Sequence, residues 1–320
     1  MPHHLVAGGG GFIGSHLVDV VLGRGDTVTI VDNFVTGRRA NIAHLAGHPG
    51  CTVVEHDITM PLPADVLNGR YDTVLDLASP ASPVDFATMP LEIMAVGSTG
   101  TRNLLDLALA QGARFFLSST SEVYGDPLVH PQPESYLGNV SCIGPRSVYD
   151  EAKRFSEALT MAYHRTHGVD VRIVRIFNTY GERMRPNDGR VVNTFLVQAL
   201  LGEPITLHGD GSQTRSFVHV ADEVRGLLAV LDGHLIGPVN VGNPGEFTMR
   251  ELAEVVVELT GSSSPIVSVP LPPEREGDPL QRQPDITLIN STYGWEPTIA
   301  LREGLTRMID FFSTNEQLTP

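Results

Sequence analysis

The stretch Val6-Ala7-Gly8-Gly9-Gly10-Gly11-Phe12-Ile13-Gly14 decides the fold of this 320-residue chain. A short apolar run, Leu5 to Ala7, leads into the glycines, and an amphipathic segment, Ser15 to Arg24, follows them. This order is typical of a strand, a tight turn and a helix. Such glycines let the backbone turn sharply and approach a pyrophosphate, while the helix start offers free amides to the phosphates.

The next strand pattern ends in an acidic residue. Thr27 to Val31 is typical of a strand, and Asp32 follows it at about the distance expected for the residue that binds an adenosine ribose. A carboxylate there repels a 2′-phosphate, so the sequence favours NAD over NADP as the cofactor. Arg38 and Arg39 lie close by and keep NADP open as the alternative.

Strand and helix patterns alternate through the first half of the chain. The segment Pro90 to Gln111 predicts one long helix in which Gly97 and Gly100 allow close packing or local loosening. The alternation predicts an α/β fold with a doubly wound parallel (Rossmann) sheet. Further strands are predicted at Thr52 to Glu55, Thr73 to Leu77, Arg114 to Leu117 and Asp170 to Arg175.

The regular alternation breaks after residue 176, which suggests two unequal domains. We expect an NAD-binding Rossmann domain over residues 1–176, which also includes about 216–240. A smaller C-terminal α/β substrate-binding lobe would take residues 177–215 and 241–320. Within it, Pro265 to Pro284 is rich in proline and charge, which predicts an irregular loop over the site.

Composition limits the partners. The 22 basic and 37 acidic side chains give a net charge of −15, which argues against a nucleic acid or an anionic membrane as the main partner. We find no run of 18 apolar residues and no signal-peptide pattern, and we therefore expect a cytoplasmic protein. The two cysteines, Cys51 and Cys142, and the scattered histidines lack metal-ligand spacing, so no metal site is expected.

A tyrosine and a lysine four residues apart, Tyr149 and Lys153, are the candidate reactive pair. On a helix this spacing places both side chains on one face, where the ammonium would favour the phenolate and make it usable as a general base. The spacing alone is common on surface helices. A second signal is the hydroxyl-rich run Ser118 to Gly125, which follows a predicted strand and contains Glu122.

These motifs, in this order and spacing, resemble the extended short-chain dehydrogenase/reductase family of nucleotide-sugar-modifying enzymes. Within that family the chain is most similar to the branch that decarboxylates UDP-glucuronate to UDP-xylose. Sibling epimerases and dehydratases share the glycine turn and the Tyr/Lys pair but generally differ at the position of Glu122. Further segments that carry the resemblance are Asp32 to Arg38, Leu77 to Pro83, Ser119 to Pro127, Asn187 to Val192 and Gly211 to Arg215.

The resemblance implies a role for each matching residue. Thr120 would hydrogen-bond the sugar 4-hydroxyl, Tyr149 would remove its proton, and Lys153 would hold the nicotinamide ribose. Glu122 would be the distinctive active-site carboxylate. The remaining residues implied to bind NAD are Gly8, Gly11, Phe12, Ile13, Asp32, Asn33, Thr36, Gly37, Asp57, Ile58, Leu77 and Ala78. Those implied to bind the nucleotide sugar are Pro83, Ser121, Asn178, Arg183, Arg190, Val191, Arg215 and Arg282, together with Glu122.

The implied reaction is oxidation at the sugar 4-hydroxyl by tightly bound NAD, loss of carbon dioxide and re-reduction. A UDP-sugar 4-epimerase and, from another class, a non-catalytic NAD-binding regulatory protein are the alternatives. The resemblance also implies a homodimer that pairs helices Pro90 to Gln111 and Val148 to Gly168. The sequence departs from the family at Ala7, usually threonine, and at Gly97, where these enzymes usually carry an asparagine that supports a water near the catalytic tyrosine.

Overall fold

The computed structural model describes residues 1–270, 279 and 281–314. Its strands, in chain order, are β1 (His3–Ala7), β2 (Thr27–Asp32), β3 (Cys51–Glu55), β4 (Thr73–Asp76), β5 (Arg114–Thr120), β6 (Val171–Ile176), β7 (Thr179–Tyr180), β8 (Ile205–His208), β9 (Thr214–Ser216), β10 (Val218–His219), β11 (Val239–Val241), β12 (Glu246–Thr248) and β13 (Ile266–Val269). Its α-helices are α1 (Phe12–Gly23), α2 (Ala64–Leu67), α3 (Pro83–Thr88), α4 (Pro90–Ala95), α5 (Thr101–Gln111), α6 (Ser147–His167), α7 (Val191–Leu201), α8 (Val220–Asp232), α9 (Met249–Thr260), α10 (Thr287–Tyr293) and α11 (Leu301–Thr314).

The central feature is a seven-stranded parallel sheet in the order β11-β6-β5-β4-β1-β2-β3. Its inner strands are buried on both faces, because helices cover each side; Val6 and Leu5 on β1, for example, point into two different apolar clusters. The strand order reverses between β1 and β4. Ligands of such sheets bind beyond the carboxyl ends of the strands at this reversal, and the predicted Rossmann architecture is confirmed.

A third apolar cluster lies away from the sheet and is formed mainly by α7, α9 and α11. The short parallel pair β8 and β13 lies beside these helices, with Ile205 aligned to Ile266. The prediction of an irregular loop from Pro265 to Pro284 is therefore wrong at its start, because Ile266 to Val269 form a strand that pairs with β8. Residues 271–278 and 280 of that predicted loop lie outside the described residues.

The predicted single helix from Pro90 to Gln111 is instead two α-helices joined by a π-helical segment, Val96–Gly100. The cause is close packing against α6: a Cβ atom on Gly97 would lie 2.9 Å from the Cβ of Ala152. The Gly97 carbonyl accepts a hydrogen bond of 2.7 Å from the Ser156 hydroxyl. Gly97 thus fixes how α6, which carries Tyr149 and Lys153, lies against the sheet.

None of the helices in the described part of the chain is long and apolar enough to cross a membrane.

Candidate active site

One cleft lies at the carboxyl ends of β1, β4, β5 and β6 and extends to α7 and β8. It brings together residues that are far apart in sequence, from Gly8 to Arg282. Of the residues predicted to form the site, those that line this cleft are Gly8, Gly11, Phe12, Ile13, Thr36, Leu77, Pro83, Thr120, Ser121, Glu122, Tyr149, Lys153, Asn178, Arg183, Arg190, Val191, Arg215 and Arg282.

The glycine turn forms one end of the cleft and is packed too tightly for any side chain. Gly8 has a φ of +82°, and a Cβ atom on it would lie 2.8 Å from the carbonyl oxygen of Leu77. A Cβ on Gly14 would lie 2.2 Å from the Gly8 oxygen. The first turn of α1 follows directly, so amides that have no partner within the helix open onto the cleft at Phe12 and Ile13. This arrangement fits the pyrophosphate of a dinucleotide.

Asp32, at the end of β2, braces the same turn. Its carboxylate accepts hydrogen bonds of 2.8 Å from the Gly10 amide and of 2.8 Å from the Phe34 amide. Each carboxylate oxygen has a second lone pair, so Asp32 can still accept a ribose hydroxyl. Arg39, which kept NADP open as an alternative, is paired with Glu55 and stacks on Phe34.

Six predicted cofactor residues lie outside the lining of the cleft. Asn33 donates a hydrogen bond of 3.3 Å to Asp57, whose other oxygen accepts one of 2.9 Å from the Thr59 amide. Ile58 is buried in the apolar core. Their role in binding NAD remains a prediction; the six are Asp32, Asn33, Gly37, Asp57, Ile58 and Ala78.

Tyr149 is buried at the centre of the cleft wall, and its ring stacks on Phe86 at 4.8 Å between centroids. Burial raises the pKa of Tyr149 to about 12, against a lowering by a hydrogen bond from the Thr120 hydroxyl. In the chain alone, burial penalises the phenolate more strongly than its neighbours stabilise it. That Lys153 helps to keep Tyr149 acidic during the reaction remains a prediction. The pairing of Thr120 with Tyr149 agrees with the predicted site.

Lys153 lies one helical turn beyond Tyr149 and is likewise buried. Its Nζ donates a hydrogen bond of 2.9 Å to the carbonyl oxygen of Ser118, at the end of β5. Burial lowers the pKa of Lys153, while the carboxylates of Asp76 and Glu157 raise it. The amine is thus fixed in place by the sheet beneath it.

Glu122 lies between two guanidinium groups, those of Arg146 and Arg282, and forms an ion pair with each. Although burial raises it, the pKa of Glu122 falls to about 2 because both arginines stabilise the carboxylate. Arg282 also donates a hydrogen bond of 3.0 Å to the Gly125 carbonyl. Glu122 is therefore ionised throughout the neutral range and cannot act as a proton donor there.

Two residues beside Glu122 were missed from the sequence. Arg146 stands just before α6, and its guanidinium carbon lies 5.5 Å from the centre of the Phe86 ring. Asp150 is buried, and its Oδ1 atom has no hydrogen-bond partner among the described residues. Burial and the negative charge of Glu122 raise the pKa of Asp150 to about 7. The position of Arg146, three residues before Tyr149, was the available signal.

The predicted basic loop is less open to anions than its composition suggested. Arg183 pairs with Asp19 on α1 at 2.6 Å. Arg190 pairs with Asp188 at 3.1 Å and donates a hydrogen bond of 2.7 Å to the Ala81 carbonyl. These pairs hold the loop after β7 against the cofactor side of the cleft. Arg183 and Arg190 still line the cleft, so their predicted contacts with the nucleotide sugar remain predictions.

No group of three or more His, Cys, Asp or Glu side chains within the described ranges could hold a metal ion. The arrangement instead combines a phosphate-binding turn, a phenol beside a hydroxyl and an amine, and a carboxylate between two arginines. It can oxidise a hydroxyl group with a dinucleotide and hold an anionic substrate near the phenol.

The chain is similar in sequence to known proteins. The NAD dependent epimerase/dehydratase family matches residues 4–242. UDP-glucuronic acid decarboxylase 2 of Arabidopsis thaliana is 52% identical over 96% of this chain and 67% of its own length. UDP-glucuronic acid decarboxylase 1 of Danio rerio is 48% identical over 97% of this chain and 72% of its own length.

Solved structures agree in fold. A UDP-glucuronic acid 4-epimerase from Bacillus cereus, in complex with UDP-glucuronic acid and NAD, superposes with a TM-score of 0.87 at 27% identity, over 98% of this chain and 99% of that one. A dTDP-glucose 4,6-dehydratase from Streptomyces venezuelae with NAD bound superposes with a TM-score of 0.89 at 30% identity, over 99% of this chain and 100% of that one.

Proposed function

The chain belongs to the NAD dependent epimerase/dehydratase family, and from that premise we propose that it converts UDP-glucuronate to UDP-xylose and carbon dioxide. The structural observation that supports this most is Glu122 between Arg146 and Arg282, in the same cleft as Tyr149. Two guanidinium charges against one carboxylate leave an excess positive charge. Such a place suits the carboxylate of a sugar acid.

The cleft fits NAD, the cofactor of this family, because the glycine turn and the first amides of α1 line it side by side. Gly8, Gly11, Phe12 and Ile13 would hold the pyrophosphate, Asp32 the adenosine ribose and Lys153 the nicotinamide ribose. Bound there, NAD would supply the hydride acceptor for oxidation at carbon 4 of the sugar and the hydride donor for the later reduction.

The chain's own residues would manage the protons and charges of the reaction. Tyr149 removes the proton of the 4-hydroxyl, which Thr120 orients by a hydrogen bond. The resulting 4-ketone is beta to the carboxylate at carbon 6, so loss of carbon dioxide leaves an enolate stabilised by the adjacent carbonyl. Tyr149 and Thr120 then donate hydrogen bonds to that enolate oxygen. Carbon 5 takes up a proton in place of the lost carbon dioxide, and Tyr149 returns its proton to the 4-oxygen when the ketone is reduced.

Glu122, Ser121 and the two arginines would position the sugar carboxylate. Because Glu122 is ionised in the neutral range, it contributes a fixed negative charge and no proton. As a substrate carboxylate approaches, it would compete with Glu122 for Arg282. Repulsion between the two carboxylates is relieved when one of them leaves as neutral carbon dioxide, and this favours decarboxylation over simple ketone formation.

The deciding experiment is one incubation with UDP-glucuronate and NAD, with the product identified by NMR. A UDP-pentose with release of carbon dioxide is the expected result. An inverted UDP-hexuronate would instead identify a 4-epimerase, the activity of the Bacillus cereus enzyme named above. Absence of UDP-sugar binding by calorimetry would support a non-catalytic NAD-binding protein.

We further propose a cytoplasmic homodimer with the two-domain division given above. The helices α4 and α6 expose large apolar side chains, among them Leu91 at 77% and Phe155 at 50% exposure, which would support a four-helix contact between two copies. Light scattering coupled to gel filtration would give the mass of a dimer. Replacing Leu91 and Phe155 together by serine should then give the monomer.

A further inference from the structure

Lys153 is the only lysine in the chain, which has 21 arginines. Every other basic side chain that is always charged is thus a guanidinium, and the one lysine ammonium lies one helical turn from the reactive phenol on α6. The two groups differ in one physical respect that matters here. A buried lysine readily loses its proton, whereas arginine keeps its charge.

The surroundings of Lys153 favour the loss of its proton. The side chain is 5% exposed, and Nζ has one hydrogen bond, to the Ser118 carbonyl at 2.9 Å. Burial is the largest influence on the pKa of Lys153 and lowers it. A neutral amine at this position would offer no positive charge to a phenolate at Tyr149.

Asp76, the last residue of β4, is the opposing charge. Its side chain is 1% exposed, and its Oδ2 atom accepts a hydrogen bond of 2.8 Å from the Thr101 hydroxyl. The Oδ1 atom makes no hydrogen bond of good geometry within the described part of the chain. A carboxylate so poorly solvated is destabilising unless a nearby positive charge compensates it.

The two buried charges are connected through the sheet. The Ser118 hydroxyl donates a hydrogen bond of 2.8 Å to the Asp76 backbone carbonyl. The Ser118 carbonyl in turn accepts a hydrogen bond from Nζ of Lys153. The Asp76 carboxylate raises the pKa of Lys153 more than any other charge does. Burial raises the pKa of Asp76, and the positive charge of Lys153 is the largest influence that opposes this rise.

The other acidic group near Lys153 is Glu157, one turn further along α6. Glu157 forms hydrogen bonds of 2.9 and 2.8 Å with the guanidinium of Arg175 and accepts one of 2.6 Å from Ser119. Its charge is therefore largely balanced by Arg175. Tyr149 is a further titratable neighbour on the same helix, and burial raises its pKa in the chain alone.

We propose that Asp76 is a positioning residue for this reaction: its buried carboxylate keeps Lys153 protonated and seated on Ser118, so that a fixed positive charge remains beside Tyr149. Thr101 holds the carboxylate in place, and its hydroxyl lies 3.4 Å from that of Ser156 on α6. The proposal rests on the proposed function for its catalytic consequence only. The ionisation of Lys153 can be measured on the protein alone.

The single lysine makes that measurement direct. Protein grown with lysine labelled with ¹³C at the ε-carbon gives one ε-carbon resonance, which titrates with Nζ and needs no assignment. In the wild-type protein we expect Lys153 to remain protonated at neutral pH despite its burial. A lysine that is neutral at pH 7 would overturn the proposal without any variant.

The matched variants are Asp76→Asn, which keeps the size and a hydrogen-bond acceptor for Thr101, and Thr101→Val, which removes that hydrogen bond but keeps the charge. We expect the lysine midpoint to fall in Asp76→Asn and to change little in Thr101→Val. Equal midpoints in Asp76→Asn and the wild type would refute the role. Circular dichroism and thermal unfolding would establish that each variant is folded.

A second readout comes from the pH profile of kcat/KM for UDP-glucuronate. In Asp76→Asn the alkaline limb should move to lower pH, because Lys153 loses its proton earlier, and kcat/KM at neutral pH should fall by about tenfold. A loss that is equal at every pH would show a purely structural role. If the wild type makes no UDP-xylose, the proposed function fails, while the lysine titration still decides the role of Asp76.

Discussion

The two ends of the catalytic wall handle charge in opposite ways. At the phenol end, Tyr149 is neutral and buried, and one ammonium beneath it is balanced by a carboxylate without direct contact to it. At the carboxylate end, Glu122 is in direct contact with two guanidinium groups. The pKa of the phenol is raised to about 12 and that of the carboxylate is lowered to about 2.

The difference follows from what each end must do. A general base must change its protonation state during turnover, so fixed ion pairs around it would oppose the reaction. Glu122, in contrast, must keep its negative charge throughout turnover, because it positions the arginines and repels the carboxylate of the sugar. The two arginines stabilise that charge. The reactive group and the positioning group therefore differ in how completely neighbouring charges compensate their own charge.

Removal of the phenol hydroxyl tests the first end and should have the largest effect. We expect Tyr149→Phe to lower kcat for UDP-xylose formation by a factor on the order of 1,000, because no other group in contact with Thr120 can take the proton. The stacking on Phe86 should be retained, so the variant should fold normally. Turnover is measured by NMR of the product.

The control is Tyr163→Phe on the same helix. That hydroxyl donates a hydrogen bond of 2.5 Å to Asp106 at the surface, away from the cleft, and its loss should leave turnover unchanged. Near-normal activity in Tyr149→Phe would remove the phenol from the mechanism and with it the contrast between the two ends.

Neutralisation of Glu122 tests the second end. Glu122→Gln keeps the shape but removes the negative charge from between Arg146 and Arg282, so we expect carbon dioxide release to fall about 100-fold. Binding of UDP-glucuronate should be retained or strengthened, because both arginines become available to the sugar carboxylate. Full retention of carbon dioxide release would show that the carboxylate is not needed. Glu151→Gln, at a half-buried site on α6 where the carboxylate pairs with Arg154, is the matched control.

The sequence predicts these two ends unequally. The spacing of Tyr149 and Lys153 follows from helix geometry, and the glycine turn follows from backbone sterics, so both are local signals. Glu122 was assigned by resemblance, but its environment is non-local: Arg282 lies 160 residues away along the chain. Asp76 was not singled out, because a polar residue at a strand end is common in sequences and only its burial reveals a role.

The two places where the backbone differs from the predicted elements were equally hard to predict. Gly97 and Gly100 suggested loosening within a helix, but the π-helical turn depends on how closely α6 approaches, which is a property of the packed fold. The prolines on either side of β13 led to the prediction of a loop in place of this strand. Its pairing with β8 depends on apolar contacts that no local pattern expresses.

Arg146 allows a finer test of the carboxylate end. In Arg146→Gln the remaining partner, Arg282, still holds Glu122 and the Gly125 carbonyl, so we expect kcat/KM to fall by about tenfold rather than to vanish. The change should lie mainly in KM, because one of two anion ligands is lost. Arg165→Gln, an exposed change on α6, serves as the control. An unchanged KM in Arg146→Gln would place the sugar carboxylate elsewhere.

The last test concerns stability and not turnover, and it uses Asp150, which follows Tyr149 on α6. Its folded-state pKa is raised from an ordinary value of 3.8 to about 7, so the folded protein binds a proton that the unfolded chain has already released. The wild type therefore loses stability as pH rises from about 4 to 7 and shows no further loss from this group above pH 7. Asp150→Asn removes that loss. We expect it to be more stable than the wild type at pH 8, by about 4 kcal/mol for a shift of about three pKa units, with little difference at pH 4.

Urea unfolding at the two pH values measures this difference, and Asp106→Asn, an exposed change on α5, is the control. The gain at pH 8 should shrink in the Glu122→Gln background, because repulsion from Glu122 is one cause of the raised pKa. A stability difference that is the same at pH 4 and pH 8 would mean that Asp150 is already ionised in the folded protein. The negative charge of Asp150 would then cancel the excess positive charge that Arg146 and Arg282 leave over Glu122. The carboxylate end would no longer carry an uncompensated charge, and the contrast with the phenol end would no longer hold.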